Sequence, residues 1–373
     1  MKNKIYKYFF YEFIRYFTVV LFALTSIIWT IQAVNYLDLV IDDGHAFAIY
    51  LYYSVLTLPK VVTKLIPLSF LAASILTILK FEKDSELILL WTSGLNKIQV
   101  VNLVFRISLL IMFLQLLLSV FITPGTLHYS RSLLKNSELQ FVPSLLKEKQ
   151  FNDTVEGLTI FVEKKGADEK FENIFIRDDG NILTKVSDGS STIFAKSGFV
   201  NENKRSLILL NGYIQKYEDS DSISMVTFEK TELNLGGLST KTISEPKLQE
   251  TSSFQIFECM MNKDIFIQNC ERHKKNNKDI KIEINKRLGM PIFIPLISLI
   301  TCFLLSPSRK VIFGLGRGIY FIIGFIILVS AEITVRYSGL SLYHTLIYYL
   351  IPVGLLPIVY IFLLKKFKYE NLR

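Results

Sequence analysis

Five cations stand beside long apolar runs in a 373-residue chain. Lys60 and Lys64 are one helical turn apart and share a face, Arg131 follows the third run, and Lys286 and Arg287 precede the fourth. Against an anion, lysine and arginine make charge-assisted hydrogen bonds about twice as strong as neutral ones. Arginine's planar fork also matches the oxygens of a phosphate. The chemistry these residues offer is the holding of a phosphorylated group at one membrane level, without bond making. Two plainer roles suit the same residues. Lys60 and Lys64 are placed to snorkel toward the outer headgroups, and Arg287 lies four residues after Glu283, the spacing of an ion pair on one helix face.

A second set of residues lies between two runs, in "EKDSELILLWTSGLNK" at 82–97. Asp84 or Ser85 suits a helix start, Glu86 falls in the first turn where the macrodipole favours an acid, and Gly94 suits the end. Leu87, Leu90 and Trp91 fall on one face at helical spacing. A short amphipathic helix of this kind either ties two spans together at the interface or docks another protein.

Catalytic chemistry is not expected. His45, His128, His273 and His344 are scattered singly, without the spacing of a metal site, and no Ser/His/Asp arrangement stands out. "GLGRG" at 314–318 follows no strand and departs from the phosphate-loop pattern, so it reads as a turn opening a span. Cys259, Cys270 and Cys302 form no CxxC pair and read as passive. Neither a catalytic residue nor a metal ligand is assigned, and no cofactor is expected on this chain.

The elements that position these residues follow from composition. Half of the chain is hydrophobic and 29 residues are Phe. Runs of about 20 apolar residues, enough to cross roughly 30 Å of hydrocarbon, occur near 13–36, 49–79, 98–122, 288–306, 312–332 and 342–364. The first run reads as a retained span, since it is too long for a signal peptide and no small-residue cleavage site follows. The net charge of +9 gathers at the ends of spans, so topology accounts for it without a nucleic acid. Lys2, Lys4, Lys7 and Arg15 precede an acidic loop, "DLVIDDGHAF", which places the N-terminus in the cytoplasm. "SPSRK" at 306–310 and the tail "KKFKYENLR" then fall on the same side.

Residues 124–275 must lie outside the cytoplasm. "GLTIFVEKK", "FENIFIRDDG", "STIFAKSGFV", "RSLILLNGYIQKY" and "SISMVTFEKTEL" are short strand patterns, with turn signals at Asp179-Gly180-Asn181 and Asn211-Gly212. They predict an all-β domain, a sandwich, jelly roll or open barrel, with Ile160, Phe175 and Leu209 pointing inward. The chain therefore divides into 1–123, with spans one to three and the cytoplasmic helix 84–94; 124–275, the β domain and its return linker; and 276–373, with spans four to six. Glu332 is the one acid clearly within a run, and Arg336 four residues on is its expected partner. Such a membrane does not read as a gradient-driven carrier. An ATPase on another chain fits better, with the 84–94 helix as its handle.

"LPKVVTKLIPLSFLAASILTILKFEKDSELILLWTSGLNKIQV" resembles the second span and following helix of the LptF/LptG family, the permease subunits of the lipopolysaccharide-export ABC transporter. Pro59, Pro67, Ala72, Ala73, Ser85-Glu86-Leu87 and Ser93-Gly94-Leu95 carry the likeness, and "EINKRLGMPIFIPL" looks like the family's entry to the fourth span. The resemblance implies an α-helical membrane protein with six transmembrane helices and an inserted jelly-roll-like periplasmic β domain, in the bacterial inner membrane with both termini cytoplasmic. It implies pairing with a paralogous permease subunit, the F type being favoured for this chain. It further implies a cytoplasmic ABC ATPase dimer that carries the ATP and Mg, a periplasmic adaptor of the bridge, and lipopolysaccharide as substrate. Glu86, Leu87, Leu90, Trp91 and Gly94 would dock the ATPase, and Lys60, Lys64, Arg131, Lys286 and Arg287 would hold headgroup phosphates. The outer end of the first span, "WTIQAVNYLDL", departs from that picture in lacking basic residues. A membrane-anchored periplasmic binding or scaffold protein is the alternative, and a gradient-driven lipid carrier stands behind it.

Overall fold

Inside hydrocarbon, backbone amides find partners only within a helix or a closed barrel, so apolar runs of this length fold as helices. A computed structural model describes residues 2–41, 46–137, 148–153, 157–166, 170–179, 190–201, 206–218, 222–234, 247–260, 277–306 and 315–371. Its six helical spans are Lys4–Val40, Phe47–Lys83, Lys97–Leu134, Lys278–Leu305, Gly318–Tyr337 and Leu342–Lys368, matching the six expected from the sequence. Cys270, His273, His45, Gly180-Asn181, Gly314 and all of "SPSRK" after Ser306 lie outside the described residues. Cys259 is disulfide-bonded, so the expectation of three passive thiols does not hold, whereas Cys302 is free and buried.

The chain forms two compact units, one of Met1–Thr30, Thr57–Leu127 and Lys247–Arg373, the other of Ile31–Leu56 and His128–Pro246. In the helical unit the fourth span is the innermost. Its apolar window is 72% buried, against 11% for the first and 17% for the fifth and sixth, so those three turn most of their apolar surface outward. Aromatic rings knit the first two spans together, with centroids 5.1 Å apart for Phe9–Phe81 and 5.3 Å for Phe13–Phe70. Lys80 Nζ adds an ion pair with the buried Glu12 at 2.8 Å. The fifth span approaches the second closely at Gly324, where a Cβ would come within 2.5 Å of Leu71 Cδ1.

Pro67 lies inside the second span. The third span changes to a π-helix at Leu118–Ile122 before resuming at Thr123–Ser137. Such widened turns are rare in helices and gather at functional sites.

The other unit holds a six-stranded antiparallel sheet. Its strands are β1 (Phe151–Asn152), β2 (Leu158–Lys165), β3 (Lys170–Asp178), β4 (Ser191–Val200), β5 (Ser206–Glu218) and β6 (Ser222–Asn234), in the order β1-β2-β3-β4-β5-β6. The described strands thus form a meander of neighbours, and no Greek-key crossing occurs among them. One face buries Leu158, Ile160, Val162, Ile174, Ile176, Ile193, Leu207 and Leu209. The other carries an aromatic row, with centroids 4.7 Å apart for Phe151–Phe161, 5.1 Å for Phe175–Phe194 and 4.9 Å for Phe194–Tyr213.

Phe175 therefore faces away from Ile160 and Leu209, contrary to the alternation read from the sequence. Phe171 and Ile174 both point inward, so two residues intervene where strict alternation allows one. Asn173, with φ of 51°, sits at that slip, while the pairing of β3 with β2 and β4 keeps the same register on either side of it. Asn211-Gly212 is likewise not a hairpin turn. β5 runs through it, and Asn211 adopts φ of 53° within the strand.

Candidate functional site

A cavity of about 490 Å³ opens among the second, third, fourth and fifth spans. Its polar part carries Lys60, Lys64, Lys286, Arg287 and Arg336 with Glu283 and Glu332, an excess of three positive charges. Its apolar part carries Leu68, Met290, Phe325, Leu328 and Val329. The lining is complementary in charge and polarity to an amphipathic molecule with an anionic end.

The structure sorts the five expected cations. Lys60 and Lys64 share the cavity, as their spacing required, and neither makes an ion pair among the described residues. Lys286 lines it too and pairs with Glu332 at 3.4 Å. Glu332 therefore takes its partner from the fourth span, and not Arg336 as its helix spacing implied. That leaves Arg336 on the cavity wall, without the Glu332 pairing that its helix spacing implies. Arg131 belongs to the other unit and is not among the lining residues.

Arg287 requires a correction. Its side chain is 5% exposed and its Nε donates to Glu283 Oε1 at 2.9 Å. Nη1 donates to Thr251 O at 3.0 Å and Ser253 Oγ at 2.8 Å, and Nη2 to Leu248 O at 3.0 Å and Gln249 O at 3.3 Å. All five guanidinium N–H groups are committed, so none remains for a ligand. Arg287 pins the segment that returns from the β strands onto the fourth span. Ser253 extends the tie by donating to Val120 O, in the π-helical turn, at 2.8 Å.

The second candidate site is the helix Glu86–Thr92. Its end is as the sequence predicts. Gly94 has φ of 81°, its N–H reaches Trp91 O at 3.2 Å, and the N–H of Leu95 reaches Leu90 O at 3.2 Å, which together form a Schellman cap. Its start is not, for Ser85 takes φ of 60° and gives no side-chain cap. The apolar face is also reversed. Leu87 and Leu90 are only 7% and 8% exposed, Trp91 packs against the same core, and the Lys97 ammonium lies 5.9 Å from the Trp91 ring. These three residues hold the helix on its own bundle. Ile88 and Leu89, 63% and 67% exposed, form the outer apolar surface. Tyr8 donates to Glu86 Oε1 at 3.1 Å, while Glu86 Oε2 is buried without a hydrogen-bond partner.

Gln115, which the sequence reading passed over, also lines the cavity. An amide side chain inside an apolar run, "MFLQLLLS", was the available signal, since polar groups at such depth are retained for a reason.

A family model described as "Lipopolysaccharide export system permease LptF/LptG" matches the chain over residues 7–366. The chain is also similar to the uncharacterized protein RP871 of Rickettsia prowazekii (strain Madrid E), at 28% identity over 313 residues, covering 82% of each chain.

Proposed function

The chain belongs to the LptF/LptG family of lipopolysaccharide export permeases, and on that premise we propose that it is one of two related subunits that lift lipopolysaccharide from the outer leaflet of the inner membrane toward a periplasmic bridge. Energy comes from an ATPase dimer on the cytoplasmic face, which holds the ATP and Mg. This chain contributes the substrate cavity and a docking helix, and binds no cofactor of its own.

The observation that carries this reading is the division of the 490 Å³ cavity into a cationic and an apolar part. A phosphorylated glycolipid has the matching division. Lys60, Lys64 and Arg336 take the phosphates, and the Lys286–Glu332 pair stands beside them with an ammonium that an incoming phosphate can recruit. Leu68, Phe325, Leu328 and Val329 receive the upper parts of the tails.

The positive-inside pattern supports the orientation, with the β domain in the periplasm. The disulfide at Cys259, on the β-domain side of the fourth span, agrees with an oxidising compartment, and the free Cys302 lies at the opposite end of that span. On the cytoplasmic side Ile88 and Leu89 dock the ATPase.

Joint charge reversal tests the cavity. In the assembled complex, Lys60→Glu with Lys64→Glu should leave ATP hydrolysis and assembly intact and sharply lower lipid crosslinking to a photoreactive residue at Leu328. Wild-type crosslinking in that variant would remove the cationic rim from the mechanism.

A further inference from the structure

A proline within a helix has no N–H to give, so the carbonyl four residues earlier loses its partner. In the second span Pro67 does this to Thr63. Within a membrane the orphaned carbonyl must be met from elsewhere, and the third span meets it. Gln115 Nε2 donates to Thr63 O at 3.1 Å.

That bond fixes which way the amide faces, because the opposite flip would set two carbonyl oxygens against each other. Gln115 Oε1 is therefore turned away from Thr63. It is buried without a hydrogen-bond partner, on a residue 3% exposed that lines the cavity. Thr63 offers it nothing, since its hydroxyl donates to Pro59 O at 2.7 Å and meets Thr123 Oγ1 at 3.1 Å. A buried acceptor left unmet is costly, and a ligand donor removes the cost.

The depth of this acceptor is set by its neighbour. Thr63 is adjacent to Lys64, and Leu68 lies one turn further on, so Gln115 marks the change from cationic to apolar lining. In an amphipathic lipid the groups at that change are the linkages joining the chains to the head. We propose that Gln115 reads this junction, its Oε1 accepting from an amide N–H or a chain hydroxyl of a glycolipid. It thereby favours lipids that carry such a donor over lipids joined only by esters of unsubstituted chains. The inference rests on the cavity being the lipid site.

Four phosphorylated glycolipids of equal chain number test it. One carries both donors, one the amide alone, one the hydroxyl alone and one neither. Each is offered to the transporter assembled with its partners in nanodiscs, and capture by a photoreactive residue at Leu328 is measured. The wild type should capture donor-bearing lipids about tenfold better than the donorless one, the worth of one well-made hydrogen bond. The two single-donor lipids identify which group is read.

Gln115→Leu should abolish the preference, whereas Gln115→Glu, assayed at a pH low enough to keep the carboxyl protonated so that it both donates to Thr63 O and accepts, should keep it. A merely structural role would lower stability in Gln115→Leu and leave the preference unchanged. If that variant fails to assemble, the wild-type series and Gln115→Glu still decide. Equal capture of all four lipids by the wild type overturns the role of Gln115 and leaves the cavity reading standing. Capture of none overturns the cavity and this inference together.

Discussion

Replacing Leu89 by serine should weaken docking of the ATPase while leaving the permease folded. The side chain is 67% exposed, so about two-thirds of its apolar surface remains available to a partner. Complete burial of a leucine contributes roughly 1.5–3 kcal/mol, which puts the share open to docking at about 1–2 kcal/mol. At about 1.4 kcal/mol per tenfold, affinity should fall between roughly fivefold and thirtyfold. The assay is titration of the purified ATPase onto the permease pair in nanodiscs, with thermal unfolding measured on the same samples. Leu90→Ala is the matched control. Leu90 is 8% exposed and packs inside, so its truncation should cost about 2–5 kcal/mol of stability without changing affinity per folded molecule. Wild-type affinity for Leu89→Ser would refute the assignment of Ile88 and Leu89 as the docking face. Loss of affinity in a stably folded Trp91→Glu variant would restore the opposite face.

Arg287→Lys keeps the positive charge but cannot reach Glu283 and four linker acceptors at once. It should destabilise the helical unit by about 3 kcal/mol and lower its melting temperature, whereas an unchanged melting temperature would show that the pin is dispensable. Gly94→Ala meets open space, so its cost is conformational alone, about 1–2 kcal/mol for a left-handed alanine. Docking should weaken accordingly, less so for Gly94→Asn, and equal affinities across the three proteins would separate the cap from docking.

The features legible in the sequence are those fixed by local rules. Six spans follow from apolar length, Gly94 from the left-handed conformation a helix end demands, and Lys60 with Lys64 from helical spacing. The features missed depend on which of two permitted arrangements the rest of the fold selects. "LILLW" at 87–91 is unbroken apolar, so the pattern does not fix which face the chain's own core takes. Burial against the chain's own core took Leu87, Leu90 and Trp91, and left Ile88 and Leu89 outside. At Asn173 the alternation of β3 slips by one residue without a change of pairing register, so Ile174 and Ile176 point inward and Phe175 outward. Arg287 had a visible partner in Glu283, but its other bonds reach 34 to 39 residues back along the chain to the return segment.

Gln115 belongs to neither group. Its sequence signal was a pair of residues 48 positions apart, a proline that strips a carbonyl of its partner and an amide in the next span able to replace it. Each alone has common explanations, because prolines kink many membrane helices and isolated glutamines bridge many others. Together they fix a third quantity that neither contains, the direction of the amide oxygen. The repair of one helix therefore leaves an oriented acceptor on a side chain that lines the cavity, and the repair and the recognition group come from the same amide. Pro67→Ala should restore the Thr63 hydrogen bond within its own helix, free Gln115 to turn, and blur the lipid preference even though Gln115 itself is unchanged. Full retention of the preference in Pro67→Ala would mean that something other than the proline sets the amide's direction.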